Sequence, residues 1–114
     1  MNTGSWTKEF FGNITICDTQ GIILEMNDQS AEAYASYGGR ELIGSNLLDC
    51  HPEPSKTTLK HLMENQQRNI YTIEKNGQHK IIIQSPWYQN GVYSGFIEMV
   101  ADIPQEMPHF VRGN

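Results

Sequence analysis

The chain has 114 residues, 38% apolar and 10% aromatic, so it is long enough for one compact core and too short for two. Thirteen acidic residues against eight scattered basic ones give a formal charge of −5, which argues against direct nucleic-acid binding because that needs a concentrated basic patch. No apolar run approaches the ~20 residues that span a bilayer, and the N-terminus lacks an export signal. We therefore expect a cytoplasmic protein with no membrane or nucleic-acid partner.

A short N-terminal helix is the first predicted element, because Ser5 is a suitable N-cap for it. Trp6, Phe10 and Phe11 fall on one side of such a helix and need a surface that buries them. That surface is either the outer face of a sheet or a second copy of the chain. We expect residues 1–13 to form a helical cap whose three aromatic side chains lie at a homodimer interface.

A hairpin is predicted next, over residues 14–18 and 22–27, because Asp18 can hydrogen-bond the turn backbone and Gly21 can adopt a left-handed conformation. A block of short helices follows the hairpin. One begins near Asp28, one turn covers residues 40–43, and a further helix starts after two prolines that suit its first turn. The apolar face predicted for this last helix carries Leu59, Leu62 and Met63.

Two Asn-Gly pairs, Asn76-Gly77 and Asn90-Gly91, separate the last three apolar runs and predict tight hairpin turns. The predicted strands cover residues 70–74, 80–88 and 92–100. The order β-β-α-α-α-β-β-β predicts an α+β fold, in which helices cover one face of a five-stranded antiparallel sheet. The domain then spans residues 14–103, and residues 104–114 form an irregular tail.

Five pieces of sequence, in the correct order, resemble the PAS domain, a sensor fold with this architecture. They are residues 18–21 with Asn27 in the opening hairpin, Arg-Glu-Leu-Ile-Gly-Ser-Asn at 40–46, His-Pro-Glu at 51–53, residues 91–95 in the last strand, and residues 100–103 with the closing Asp-Ile. The Cys-His-Pro at 50–52 further resembles a stand-alone bacterial PAS subgroup. The resemblance implies a curled sheet around a small interior that often holds a cofactor or metabolite.

The resemblance also implies which side chains face that interior. Glu98 is four residues before the closing aspartate, the position that points into the PAS cavity, and strand alternation extends the inward set to its neighbours. A one-residue slip would turn Glu98 out to solvent. The expected ligand-binding residues are Thr15, Cys17, His51, Leu59, Ile70, Thr72, Ile82, Gln84, Phe96 and Glu98.

Glu98 has two interpretations, because a buried carboxylate needs a partner or a proton. It is either a polar anchor for a ligand or a structural group bonded to His51, Gln84 or a backbone amide. His51 is likewise a capping or packing residue, a ligand or metal contact, or a pH-sensitive partner of Glu98. No metal site is predicted from the cysteine and histidine spacing, and no catalytic residue is expected, because no serine lies in a nucleophile-elbow pattern.

Cofactor expectations also come from the resemblance. The cysteine motif of flavin-binding PAS domains is absent from the sequence, so flavin is not expected. Haem is not favoured, because the position of the proximal histidine in haem PAS domains falls on Leu59, and His61 faces away from that side of the helix. A haem or redox sensor that uses His51 or Cys50 stays an alternative.

The sequence predicts a module without catalytic activity that senses a small molecule and passes ligand occupancy to a separate signalling protein, as in regulation of transcription. The signal would travel through dimer or surface changes. One alternative is a protein–protein interaction module whose core is filled by its own side chains.

Overall fold

The structure, a computed structural model, describes residues 6–113. The regular elements in chain order are β1 (Asn13–Cys17), β2 (Ile23–Met26), α1 (Asp28–Ala33), α2 (Ser55–Glu64), β3 (Asn69–Lys75), β4 (Gln78–Gln89) and β5 (Val92–Ile103). Between α1 and α2 lie three 3-10 turns, Ala35–Tyr37, Gly39–Leu42 and Leu47–Cys50. The predicted fold class is confirmed, with 3-10 turns where the sequence predicted a middle helix.

The five strands form one antiparallel sheet in the order β2-β1-β5-β4-β3. Both predicted Asn-Gly turns are present, since Asn76 and Gly77 have φ of 53° and 79°, and Asn90 and Gly91 have φ of 51° and 80°. These positive values are those of hairpin turns whose twist matches that of the flanking strands. The two turns therefore fix the β3-β4-β5 meander.

The helices and 3-10 turns cover one face of the sheet, which we call the inner face. The helix α2 buries Leu59, Leu62 and Met63 in a core that also contains Phe96 of β5. The remaining buried members of this core are Cys17, Ile23, Met26 and Leu47. The predicted apolar face of α2 is confirmed.

The segment before β1 differs from the sequence prediction. Residues 6–9 form a turn rather than a helix, and Ser5 lies outside the described residues. Asn27, the N-cap of α1, explains the difference, because its Nδ2 donates to the carbonyl oxygens of Thr7 (3.1 Å) and Gly12 (2.9 Å). These bonds hold the backbone of the segment against α1 and β1. The prediction of an N-terminal helix is therefore wrong for the described residues.

The side chain of Trp87 passes over Gly95 on the neighbouring strand, and we call this contact the crossing. The indole Nε1 of Trp87, on β4, donates to the carbonyl oxygen of Cys17 on β1 at 3.0 Å, although β5 lies between these two strands. The pairing partner of Trp87 on β5 is Gly95, and a Cβ at Gly95 would lie 1.9 Å from the carbonyl oxygen of Cys17. Only glycine therefore allows this approach.

Candidate functional site

A row of polar side chains crosses the inner face of the sheet. The strand register places Thr15 opposite Glu98, Glu98 opposite Gln84, and Gln84 opposite Asn69. Residues directly opposite in antiparallel strands share a face, so all four side chains lie on the covered side of the sheet. Thr15 and Gln84 are buried, and Glu98 and Asn69 are half-buried.

Three members of this row form a chain of hydrogen bonds. Asn69 Nδ2 donates to Gln84 Oε1 at 3.1 Å, and Gln84 Nε2 donates to Glu98 Oε2 at 2.9 Å. The first bond fixes the orientation of the Gln84 amide, so that its NH₂ group points at the carboxylate. We call this arrangement the polar relay. Thr15 is outside it, because its hydroxyl bonds the buried Ser30 hydroxyl at 2.5 Å.

The polar relay borders a cleft of about 280 Å³ between the start of α2 and the sheet, which we call the inner cleft. Residues from α2 and the loop before it form one wall, including His51, Ser55, Thr58 and Leu59. The sheet supplies the other wall with Asn69, Tyr71, Gln84 and Glu98. The inner cleft is therefore an opening whose walls combine polar and apolar surface.

The neighbouring part of the covered interior, around Tyr34 and Leu47, contains no such space. Tyr34, Leu42, Leu47 and Cys50 pack against Thr15, Ile23 and Met26 and leave no room for a water molecule. The interior that the PAS resemblance implied is thus partly filled, and the open part is the inner cleft.

His51 follows the last 3-10 turn and is half-buried. Its Nδ1 lies 2.9 Å from the carbonyl oxygen of Leu47, and because a carbonyl only accepts, Nδ1 carries the hydrogen. The Nε2 atom of the neutral ring is then an acceptor. His51 thus both caps the turn that precedes it and lines the inner cleft.

Ionisable groups around Glu98 favour their neutral forms. Burial raises the pKa of Tyr71 and of Tyr34, and the negative charge of Glu98 raises both further. The pKa of the Cys17 thiol is raised to about 11, chiefly by burial, with smaller contributions from Asp18 and Glu98. Burial also raises the pKa of Cys50. Glu98 therefore creates a negative potential that extends to three neighbouring side chains.

Four expected ligand-binding residues, His51, Leu59, Gln84 and Glu98, come together at the inner cleft. Four others lie in the packed interior, namely Thr15, Cys17, Ile82 and Phe96. The inward orientation predicted for Ile70 and Thr72 was wrong. They pair with Ile83 and Ile81, whose side chains lie on the opposite, outer face, and Ile70 is 57% exposed.

The cleft residues that the prediction missed come from β3 and α2. In β3 the side chains of Asn69 and Tyr71 face inward, whereas the sequence predicted this orientation for Ile70 and Thr72. The Asn76-Gly77 turn indicated the correct register, because a two-residue turn pairs the residues that flank it. Counting back from the turn along both strands places Asn69 opposite Gln84. Ser55 and Thr58 share the helix face of Leu59, so helical periodicity also indicated them.

A second cleft, of about 440 Å³, lies beside the N-terminal segment and the β1–β2 edge. Its two basic side chains, Lys8 and Arg40, both form ion pairs with Asp28. Glu25 also lines this cleft, and its buried Oε2 has no hydrogen-bond partner among the described residues. None of the expected ligand-binding residues borders this cleft, so the inner cleft is the candidate site.

Within residues 6–113, no three side chains among His, Cys, Asp and Glu are grouped to hold a metal ion. No helix in the same range has the length and apolar character needed to cross a membrane.

Neither a protein-family model nor a curated protein matches the sequence. Solved structures do match. The chain is similar to the PAS domain of the histidine kinase ThkA (TM-score 0.62, 16% identity, 80% of this chain and 99% of that one). It is also similar to a sensory box sensor histidine kinase from Vibrio cholerae (TM-score 0.62, 15% identity, 82% of each chain). A further similar structure is the Aer2 receptor of Vibrio cholerae, described as a dual PAS-heme oxygen sensor (TM-score 0.59, 17% identity, 82% of this chain and 95% of that one). The chain therefore has the PAS fold.

Proposed function

We propose that this chain is a sensory signalling module without catalytic activity, which binds a small molecule in the inner cleft and passes ligand occupancy to a partner protein. The polar relay is the observation that carries the proposal, because it connects a cleft of about 280 Å³ to hydrogen bonds between three strands. The PAS fold of sensor proteins supports it. We also propose that the protein acts in the cytoplasm.

The trigger is a change of hydrogen bonding at Glu98, Gln84 or His51. A ligand that bonds the Glu98 carboxylate competes with the Gln84 amide, and Gln84 in turn positions Asn69. Because β3, β4 and β5 each contribute one member of the relay, rearranging it alters the packing between these strands. The altered packing then changes the shape of the outer face of the same strands.

The outer face provides an output surface. It carries the apolar side chains of Ile70, Ile81, Ile83, Ile97, Met99 and Ile103. Beside it, Trp6 and Phe11 are 76% and 65% exposed, and Phe10 is half-buried against Phe11 with ring centroids 4.8 Å apart. A contiguous apolar surface of this kind favours association. We propose that Trp6, Phe10, Phe11 and the outer face form a homodimer interface.

Native mass spectrometry of the purified protein, with an absorption spectrum of the same sample, tests ligand binding. Thr58→Trp places a large ring in the inner cleft and leaves the polar relay intact, and Lys60→Trp is the matched control, because Lys60 is exposed on the same helix. We expect bound small-molecule mass in wild type and Lys60→Trp and its loss in Thr58→Trp. Bound mass that persists in Thr58→Trp would contradict the proposal.

The filled interior beside Tyr34, Leu42 and Leu47 favours a second candidate, a protein–protein interaction module. Such a module uses its surface only, so it predicts a protein without bound small molecule whose oligomeric state is the same in Thr58→Trp and wild type. A sensor instead predicts that blocking the inner cleft changes the association it controls.

The haem alternative does not fit these residues. The Aer2 receptor shares the fold and is described as a haem sensor, but here Leu42 and Leu47 fill the interior behind the cleft. Ligation through sulfur needs a thiolate, and the raised pKa of Cys50 disfavours it. We expect no Soret shift when hemin is added to the protein, and a stoichiometric shift that His51→Ala abolishes would restore the haem alternative.

A further inference from the structure

The walls of the inner cleft offer hydrogen-bond acceptors and one negative charge, beside the hydroxyls of Ser55, Thr58 and Tyr71, which can donate or accept. Glu98 Oε2 accepts from Gln84, whereas its Oε1 receives no hydrogen bond from residues 6–113. Asn69 Nδ2 donates to Gln84, which leaves Asn69 Oδ1 as its acceptor. His51 donates through Nδ1 to Leu47, so the Nε2 of its neutral ring is a third acceptor. A ligand that satisfies these atoms must donate hydrogen bonds.

The cleft walls contain no lysine or arginine. The inward-facing Lys80, four positions along β4 from Gln84, is paired with Asp102 at 2.5 Å. The charge of Glu98 is therefore not balanced at the cleft, and it raises the pKa of Tyr71 in the same wall. A carboxylate or phosphate ligand would bring a second negative charge beside Glu98 without a basic partner, which is unfavourable in a partly desolvated site.

Leu59 and Tyr71 complete the cleft with an aliphatic side chain and an aromatic ring. An aromatic face attracts a cation, and the attraction grows as the cation is desolvated. The volume of about 280 Å³ is slightly below the range usual for drug-sized ligands, so the ligand is small.

We propose that the ligand of the inner cleft is a small cationic amine, whose N–H groups donate to Glu98 Oε1 and the neighbouring acceptors while its carbon stem packs against Leu59 and Tyr71. This inference rests on the proposed function, since it names the ligand class of the same site. It excludes anionic metabolites from the inner cleft.

Three probes of similar shape and different charge test the inference by NMR titration of the full chain: 2-phenylethylammonium, 3-phenylpropionamide and 3-phenylpropionate. We expect the ammonium probe to shift the amide signals of cleft residues and to bind about tenfold more tightly than the amide, because hydrogen bonds to a charged group are about twice as strong as neutral ones. The carboxylate probe should not bind. Glu98→Gln keeps an acceptor for Gln84 and should remove the preference for the cation, whereas Glu64→Gln, at the exposed far end of α2, should keep it.

The outcomes separate the ligand class from the proposed function. Equal or tighter binding of the amide or carboxylate at the cleft would overturn the cationic ligand and leave the sensor proposal standing. If no probe shifts the cleft signals, the cationic ligand is overturned, and a mixed panel of neutral and anionic metabolites then decides the sensor proposal. Shifts from any panel member retain the proposed function, and a panel without shifts overturns it as well. The three probes are compared on the wild-type chain, so they test the ligand class even if Glu98→Gln fails to fold.

Discussion

Asn27 shows how one buried side chain joins three parts of the chain. Besides its two donated bonds to the N-terminal segment, its Oδ1 accepts from the backbone amides of Ile14 (2.9 Å) and Ser30 (3.0 Å). The first acceptor bond belongs to β1 and the second caps α1. Each bond satisfies a backbone group that is costly to bury alone.

Asn27→Ala should lower the free energy of unfolding by about 3 kcal/mol. Loss of an N-cap costs about 1 kcal/mol, and leaving the buried Ile14 amide without a partner adds about 1–3 kcal/mol. Urea unfolding measures the difference, with Gln29→Ala on the exposed side of α1 as the control. Similar losses in the two variants would show that Asn27 does not have this role.

The raised pKa of Cys17 leads us to expect a loss of stability at alkaline pH. Its ordinary pKa of 9.0 is raised to about 11 in the folded chain, so the folded state holds the proton more tightly than the unfolded one. The contribution to stability is therefore complete below about pH 9 and is lost as pH rises toward 11. Urea unfolding at about pH 8, 9 and 10.5 should show a steeper loss in wild type than in Cys17→Ala. Parallel slopes in the two proteins would contradict a buried, protonated thiol.

The position of Glu98 could be predicted only from the family resemblance. Counting across the Asn90-Gly91 turn without interruption puts Ile97, not Glu98, opposite Gln84, which would turn Glu98 outward. The structure has a register shift between Trp87 and Tyr88 that restores the pairing of Gln84 with Glu98. A bulge of this kind depends on local twist and has no strong mark in the sequence.

At the scale of elements, tight turns were the most reliable signal, and isolated apolar spacing was the least. The two Asn-Gly turns correctly predicted three strands, whereas the spacing of Trp6, Phe10 and Phe11 predicted a helix where residues 6–9 form a turn. A turn needs only its own residues to be favourable. A short helix is marginal by itself, so the tertiary bonds to Asn27 decide the conformation there.

Gly95→Ala tests how β1, β4 and β5 are held together. The new Cβ would lie 1.9 Å from the carbonyl oxygen of Cys17 and 2.8 Å from Trp87 Nε1, and the φ of 146° disfavours any residue with a side chain. We expect a loss of about 3 kcal/mol in unfolding free energy from overpacking and backbone strain. Thermal and urea unfolding measure it, and Gly91→Ala, strained but in open space, is the comparison. A smaller loss in Gly95→Ala than in Gly91→Ala would show that the crossing tolerates a methyl group.

At the scale of the whole molecule, the homodimer is the central prediction. Phe11→Glu should convert a dimer of the 13.0 kDa chain into a monomer, because it places a charge in the proposed apolar interface. Light scattering after size-exclusion chromatography gives the mass. Tyr37→Glu is the control, since Tyr37 is 70% exposed in a 3-10 turn outside the proposed interface. A wild-type monomer, or equal effects of both variants, would rule out this interface.

The layer that covers the inner face has a kinetic consequence. Apart from the ten-residue α2, it consists of one six-residue helix and three 3-10 turns of three or four residues each. Such short pieces form few backbone bonds of their own and depend on packing, so they open locally at a lower free energy than the sheet. Amide hydrogens between Asp28 and Cys50 should therefore exchange with solvent well before those of β4 and β5. Local opening of this cover is therefore expected to occur repeatedly while the sheet beneath it stays folded.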